Sequence, residues 1–272
     1  MSIQITPRGF GWVFIQIGVD MDFTDKRVLV TGASRGIGRS ISDAFAQRGA
    51  RIAIHFNQNR AAVEETREAL PGGPHMIVQA DAADPDAVEE MVCAVIAEMG
   101  GIDILVNNAG IYELHPIADI GYSEWQDIWS RTLGTNLIGA ANVLFHCAKQ
   151  MIKQGSGRIV NVSSRGAFRG EPDAPAYGAS KAGLNALSQS MARALAPHGI
   201  TVTVVAPGFV ETEMAAPFLD GPEGDAIRNQ SPMGRIAKPE EVARAVLFLA
   251  SEGIESITGT IIDVNGASYL RS

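Results

Sequence analysis

From residue 27 onward, short runs of β-branched and apolar residues alternate with longer amphipathic stretches, and this alternation narrows the possible folds more than any other feature. The short runs lie at 27–31, 51–56, 75–79, 102–107, 158–162, 201–205 and 260–264. Several, such as Val28-Leu29-Val30, are apolar at every position, as strands covered on both faces must be. Between them, 36–48, 60–70, 84–99, 125–153, 177–196 and 239–250 have helical length and spacing. Asp84 before Pro85 reads as an N-cap followed by proline at the first helical position. Lys238-Pro239-Glu240-Glu241 opens the last helix with acids at its positive end. Strands that alternate with helices pair in parallel through right-handed crossovers. The expected fold is therefore α/β, a doubly wound parallel sheet of about seven strands flanked by helices.

Composition excludes several classes. The net charge of −8 opposes a nucleic-acid or anionic-membrane surface, which needs clustered positive charge. Cys93 and Cys147 are too few and too far apart for a disulfide framework, which points to a reducing, cytoplasmic compartment. The five histidines, His55, His75, His115, His146 and His198, lack ligand spacing, so no metal is expected. Neither a linker nor an internal repeat divides the chain, and residues 21–272 read as a single domain. The apolar run at 10–19 is too short to span a bilayer and precedes no small-residue cleavage site. Residues 1–20 are expected to be a dispensable extension. The least regular stretch, 208–238, carries Pro217, Gly221, Pro222, Gly224 and Pro232, and a loop of that length reads as a lid.

Val28-Leu29-Val30-Thr31 runs into Gly32-Ala33-Ser34-Arg35-Gly36-Ile37-Gly38, after which a helix begins. Glycines there permit a tight turn and bring backbone N–H groups close to an anion at the helix N-terminus. With Asn107-Asn108-Ala109-Gly110 after the fourth strand, Ser164 with Tyr177-x-x-x-Lys181, and Pro207-Gly208 with Thr212 after the sixth, the sequence resembles the short-chain dehydrogenase/reductase family over roughly residues 25–270. The resemblance implies a Rossmann-type fold and a nicotinamide-dependent interconversion of a ketone and a secondary alcohol. One departure touches the loop after Ser164, where Arg165-Gly166-Ala167 places glycine one position early.

Tyr177 and Lys181 lie four apart at a helix start and face the same way. A free tyrosine, with a pKa of about 10, is a poor base, and a neighbouring ammonium lowers that value. Tyr177 is thus the expected general acid and base, with Ser164 hydrogen-bonded to the same substrate oxygen. The resemblance adds Lys181 as a ribose ligand and Asn136 as the residue that positions a relay water. It also makes Gly32, Ser34, Arg35, Gly36, Ile37, Gly38, Asn57, Asp81, Ala82, Asn108, Ala109, Gly110, Pro207, Gly208, Val210 and Thr212 cofactor contacts.

NAD-preferring relatives place an acid after the second strand. Here Asn57-Gln58-Asn59 stands there, while Arg35 lies in the glycine loop, so NADP(H) is favoured and NAD(H) is the alternative. Tyr112, His115, Arg165, Phe168, Phe209, Val210 and Met214 are candidates for the substrate pocket. Residues 206–214 look much like 3-oxoacyl-[acyl-carrier-protein] reductases, yet Gly155 and His198 stand where those enzymes often carry carrier-docking arginines. A sugar or polyol dehydrogenase is the rival within the family, and a cofactor sensor without turnover the rival outside it. Trp125 and Trp129 share a helix face, and Leu184, Leu187, Met191 and Leu195 form an apolar stripe. The resemblance implies a homotetramer with contacts through those helices, a small carbonyl or alcohol substrate, and neither nucleic acid nor membrane as partner.

Overall fold

The computed structural model describes residues 21–271, and the expectation about residues 1–20 lies outside them. The apolar runs form seven strands: β1 (Arg27–Val30), β2 (Arg51–Phe56), β3 (Met76–Gln79), β4 (Ile104–Asn107), β5 (Gly157–Val162), β6 (Ile200–Pro207) and β7 (Ile261–Val264). They make one sheet in the order β3-β2-β1-β4-β5-β6-β7, with every neighbouring pair parallel. The helices are α1 (Gly36–Ala46), α2 (Arg60–Ala69), α3 (Pro85–Met99), α4 (Tyr122–Leu133), α5 (Ala140–Gln154), α6 (Gly166–Arg169), α7 (Pro175–Leu195), α8 (Ala216–Leu219), α9 (Gly224–Asn229) and α10 (Pro239–Ala250).

Alternation along each strand divides the interior into two cores. Val28, Val30, Ile52 and Ile54 pack with Ile41 and Phe45 of α1 and Val242 and Val246 of α10. Leu29, Leu105 and Ile159 face the other way, against Val92 of α3, Leu144 and Met151 of α5 and Leu195 of α7. Each such fully buried side chain contributes about 1.5–3 kcal/mol relative to leaving it in water. Local chemistry sets the helix ends. The Asp84 carboxylate accepts from the N–H groups of Asp86 (3.0 Å) and Ala87 (3.2 Å), and α3 stops at Gly100 in the left-handed conformation.

Three segments differ from the sequence-based expectation. Residues 125–153 do not form one helix. A π-helical turn, Gly134–Gly139, separates α4 from α5, and Gly139 packs so closely on the Ala82 carbonyl that a Cβ would not fit. Such widened turns recur at functional sites. Helix α7 begins at Pro175, two residues before Tyr177, because proline suits the first helical position. The irregular 208–238 stretch contains α8 and α9, and Leu219, Ile227 and Ile236 give it a small core of its own.

Consecutive crossovers leave β1 on opposite sides of the sheet, to β2 and to β4. A crevice opens at the carboxyl ends of these strands, where ligands bind in sheets of this kind.

Candidate active site

A cleft of about 670 Å³ occupies that crevice, within the range of small-molecule sites. Its floor at one end is the glycine loop. Gly32 has φ +62° and lies so near Ala109 that an added Cβ would sit 2.8 Å from the Ala109 Cα. At Gly38 a Cβ would run into the Gly32 carbonyl and come within 2.6 Å of the Asn108 amide. The Asn108 side chain donates to the carbonyls of Thr31 (2.9 Å) and Gly32 (3.0 Å), while Thr31 Oγ1 accepts from the N–H groups of Asn108 (2.9 Å) and Ala109 (3.0 Å). The end of β4 is thereby fastened to the loop after β1. No side chain caps the start of α1, and its first turn holds no acid. The first N–H groups of α1 and the space that only glycine leaves open together fit a phosphate.

At the other end of the cleft stand Ser164, Tyr177 and Lys181. Ser164 ends the chain segment after β5, and its Oγ accepts from the Gly166 N–H at 3.0 Å. The Ser164 hydroxyl and the Tyr177 phenol line the same end of the cleft. Lys181, one turn further along α7, is buried and donates from Nζ to the Val162 carbonyl at 2.8 Å. Nζ lies 5.8 Å from the centre of the Tyr177 ring.

The expected lowering of the Tyr177 pKa by Lys181 is not what this arrangement gives. Burial pushes the Tyr177 phenol up to about 12, against the smaller opposing effect of the Ser164 hydroxyl. Burial also pushes the Lys181 ammonium down to about 8. Desolvation outweighs attraction because the ammonium is turned toward the Val162 carbonyl and lies over the phenol's ring.

Most of the predicted cofactor contacts line the cleft: Gly32, Ser34, Arg35, Gly36, Ile37, Gly38, Asn57, Ala82, Asn108, Ala109, Gly110, Pro207, Gly208, Val210 and Thr212. Asp81 does not. Its carboxylate turns back to accept from the Ala83 N–H at 2.9 Å, as a strand-end aspartate does. Asn136 also lies behind the wall, in the π-helical turn and fully buried. Its Oδ1 accepts from the Ile111 N–H (2.8 Å), and its Nδ2 donates to the Ile111 carbonyl (3.0 Å) and Ser180 Oγ (3.2 Å). Both amide donors are spent, so the side chain pins the strand-end loop rather than facing the cleft.

Among the substrate-pocket candidates, Tyr112, Arg165, Phe209, Val210 and Met214 line the cleft, and Tyr112 meets Tyr177 edge-on at 4.9 Å between ring centres. His115 and Phe168 do not. His115 is buried, donates from Nδ1 to the Glu113 carbonyl (2.8 Å) and accepts at Nε2 from the Ala176 N–H (3.2 Å), so it caps the helix that carries Tyr177. Phe168 is covered by the Arg271 guanidinium at 4.5 Å.

Among the lining residues that the sequence did not single out are His55, Glu171 and Phe218. The signal for His55 was available, a polar residue inside an otherwise apolar strand. Its Nδ1 accepts from the Gly32 N–H (3.0 Å), its Nε2 bonds to the Ala80 carbonyl (3.1 Å), and burial lowers its pKa, so it is a neutral buttress under the glycine loop. Glu171 and Phe218 carry no local signal, because only tertiary packing brings them to the cleft.

Residues 32–267 match a family model described as enoyl-(acyl carrier protein) reductase. The 3-oxoacyl-[acyl-carrier-protein] reductase of Staphylococcus aureus is 38% identical over 247 residues, 90% of this chain and 98% of that protein. D-threitol dehydrogenase of Mycolicibacterium smegmatis is also 38% identical, over 260 residues, 94% of this chain and 98% of that one. A short-chain dehydrogenase from Burkholderia cenocepacia, solved with NADP, superposes with a TM-score of 0.83 at 35% identity, covering 91% of this chain and 99% of its own. With the parallel sheet, the glycine cradle and the Ser164, Tyr177 and Lys181 grouping, these likenesses place the chain in the short-chain dehydrogenase/reductase family, as an NAD(P)-dependent oxidoreductase acting on CH–OH groups.

Proposed function

We propose that the chain is an NADP(H)-dependent carbonyl reductase whose proton donor is Tyr177. The carrying observation is that Ser164, Tyr177 and Lys181 share one cleft with the glycine cradle. Gly32, Gly36 and Gly38 and the start of α1 would hold the cofactor phosphates, and Lys181 the nicotinamide ribose. When bound, the nicotinamide supplies or accepts the hydride. Tyr177 gives its phenolic proton to the substrate oxygen, and a phenol held near pKa 12 carries that proton at neutral pH. Ser164 is placed to donate to the same oxygen, because its Oγ already accepts from the Gly166 N–H and its own O–H is left to donate. Asn136 supports the relay side of the site through the Ile111 backbone.

The preference for NADP(H) over NAD(H) rests on Arg35 at the rim, with Asn57, Gln58 and Asn59 in place of an acid after β2. Arg35 also reaches Glu213 of the lid at 3.1 Å. The substrate reading that comes first is a 3-oxoacyl thioester, by likeness to the Staphylococcus aureus enzyme. The threitol dehydrogenase at equal identity makes a polyol the second. A homotetramer is supported by Ile138 and Phe145, which stay more than half exposed on the helical face after α4. Among the described residues no helix is long and apolar enough to cross a membrane, in keeping with a cytoplasmic enzyme.

The test is NADPH consumption with an acetoacetyl thioester. Turnover that falls by about 10²–10⁴ in Tyr177→Phe, with NADPH still bound, is the expected result. Full activity in that variant would remove Tyr177 from the mechanism, and tighter binding of NADH than NADPH would overturn the cofactor assignment.

A further inference from the structure

Arg165 follows Ser164 directly and, like Lys181, is a cation of the cleft wall that is almost wholly buried and has no ion-pair partner among the described residues. It is 3% exposed, and among the described residues no carboxylate lies within ion-pairing distance of it. Its two terminal nitrogens each donate once, to Ser268 Oγ (2.6 Å) and to Gln230 Oε1 (2.5 Å), both neutral. A guanidinium has five N–H donors. Three therefore have no protein acceptor among the described residues. The guanidinium also lies 5.2 Å from the centre of the Phe209 ring, another residue of the cleft wall.

Charges close by do not resolve the imbalance. Glu171 sits 4.0 Å from Arg169, so these two offset one another. Burial and the neighbouring Arg169 both lower the Arg165 pKa, against the smaller opposing effect of Glu171. A guanidinium does not shed its proton in water near neutrality, so a buried one calls for an anion. The two tethers come from the lid after α9 and from the segment after β7, and they hold the fork in one orientation at the substrate end.

We propose that the substrate carries a carboxylate close to its reacting carbonyl, and that Arg165 binds it through the N–H groups that Ser268 and Gln230 leave free. The ligand class is thus an oxo acid or the matching hydroxy acid. This deepens the carbonyl-reductase reading and rests on it for the placement of the reacting carbon. It departs from both substrate readings above, since neither a neutral polyol nor a plain thioester supplies the anion.

The experiment compares 2-, 3- and 4-oxo acids with their methyl esters as NADPH-consuming substrates. An acid is expected to exceed its own ester in kcat/KM by about 10- to 100-fold, the worth of a charge-assisted pair in a buried site. In Arg165→Met that ratio should fall toward one, with Arg165→Lys between. Esters reduced as well as or better than their acids by the unaltered enzyme would overturn the proposal. Because Arg165 tethers two segments and its variants can fail to fold, a second measurement uses the unaltered enzyme alone. Calorimetry with saturating NADP⁺ should detect butanoate and not butanamide. Equal binding of the two, binding of neither, or binding of inorganic phosphate alone would sink the assignment. If no ketone is turned over while butanoate binds selectively, the carbonyl-reductase reading has failed and the anion site stands.

Discussion

The two ends of the cleft are built by different means. At the cofactor end the walls are backbone: Gly32, Gly36 and Gly38, the start of α1, and the Thr31–Asn108 fastening between neighbouring strands. At the substrate end the walls are side chains delivered from far along the chain. Arg165 is held by Gln230 and Ser268, 65 and 103 residues away, and Tyr112 and Phe209 both meet Phe218 of the lid. A wall of backbone tolerates no added atom, because nothing can rotate out of the way. A wall of side chains can be recomposed by single substitutions, so it is the end at which relatives with one fold differ in substrate.

Gly38→Ala is the sharpest way to break the contrast. Its Cβ would meet the Gly32 carbonyl, the Ala33 Cα and the Asn108 amide, all within the first turn of the cradle. NADPH binding is expected to weaken by about 100-fold, on the order of 3 kcal/mol for an overpacked position. Phe218→Ala, at the side-chain end, should alter substrate KM while the NADPH Kd stays within about threefold. Fluorescence titration of NADPH checks both. Equal effects on NADPH binding would show that the two ends are not independent.

His115 tests the hinge between the ends, because it caps the helix that carries Tyr177. His115→Phe keeps a ring beside Trp125 but removes the acceptor for the Ala176 N–H. The expected loss is about 1–2 kcal/mol of stability and about tenfold in kcat. His115→Gln, which keeps an acceptor, should restore most of kcat. A phenylalanine variant with full kcat and a lowered melting temperature would make the cap purely structural.

The smallest effect concerns Lys181, beside Tyr177 in the cleft. Burial lowers its folded pKa from 10.5 to about 8, so the unfolded chain holds that proton more tightly between those values. The cost of burying the charge is complete below about pH 8 and is relieved as pH rises toward 10.5. Lys181→Met should therefore melt later than the unaltered protein at pH 7, on the order of 3 °C, with a smaller gain at pH 10. The same gain at both pH values would refute the linkage.

Where the sequence could be read, the reason was that the determinant was local. Alternation along a strand and helical spacing between strands are properties of neighbouring residues, so the parallel sheet and the site of the glycine turn are legible in the sequence. The Tyr177–Lys181 pair was placed on one helix face by its spacing alone, and both residues do enter the cleft. Asp81 was placed beside the cleft by the family resemblance and Phe168 by its nearness to Ser164 in sequence, yet their side chains turn to Ala83 and to Arg271. The π-helical turn was invisible, because it answers to the Ala82 carbonyl packed against Gly139 from another segment.

By itself, then, the sequence determined the α/β architecture, the backbone cradle and the residues able to carry proton-transfer chemistry. Tertiary structure alone decided how burial shifts the Tyr177 phenol and the Lys181 ammonium, and the composition of the substrate end. Desolvation and long-range packing depend on what surrounds a group in space, and Arg165 between Gln230, Ser268 and Phe209 acquires its uncompensated charge only there.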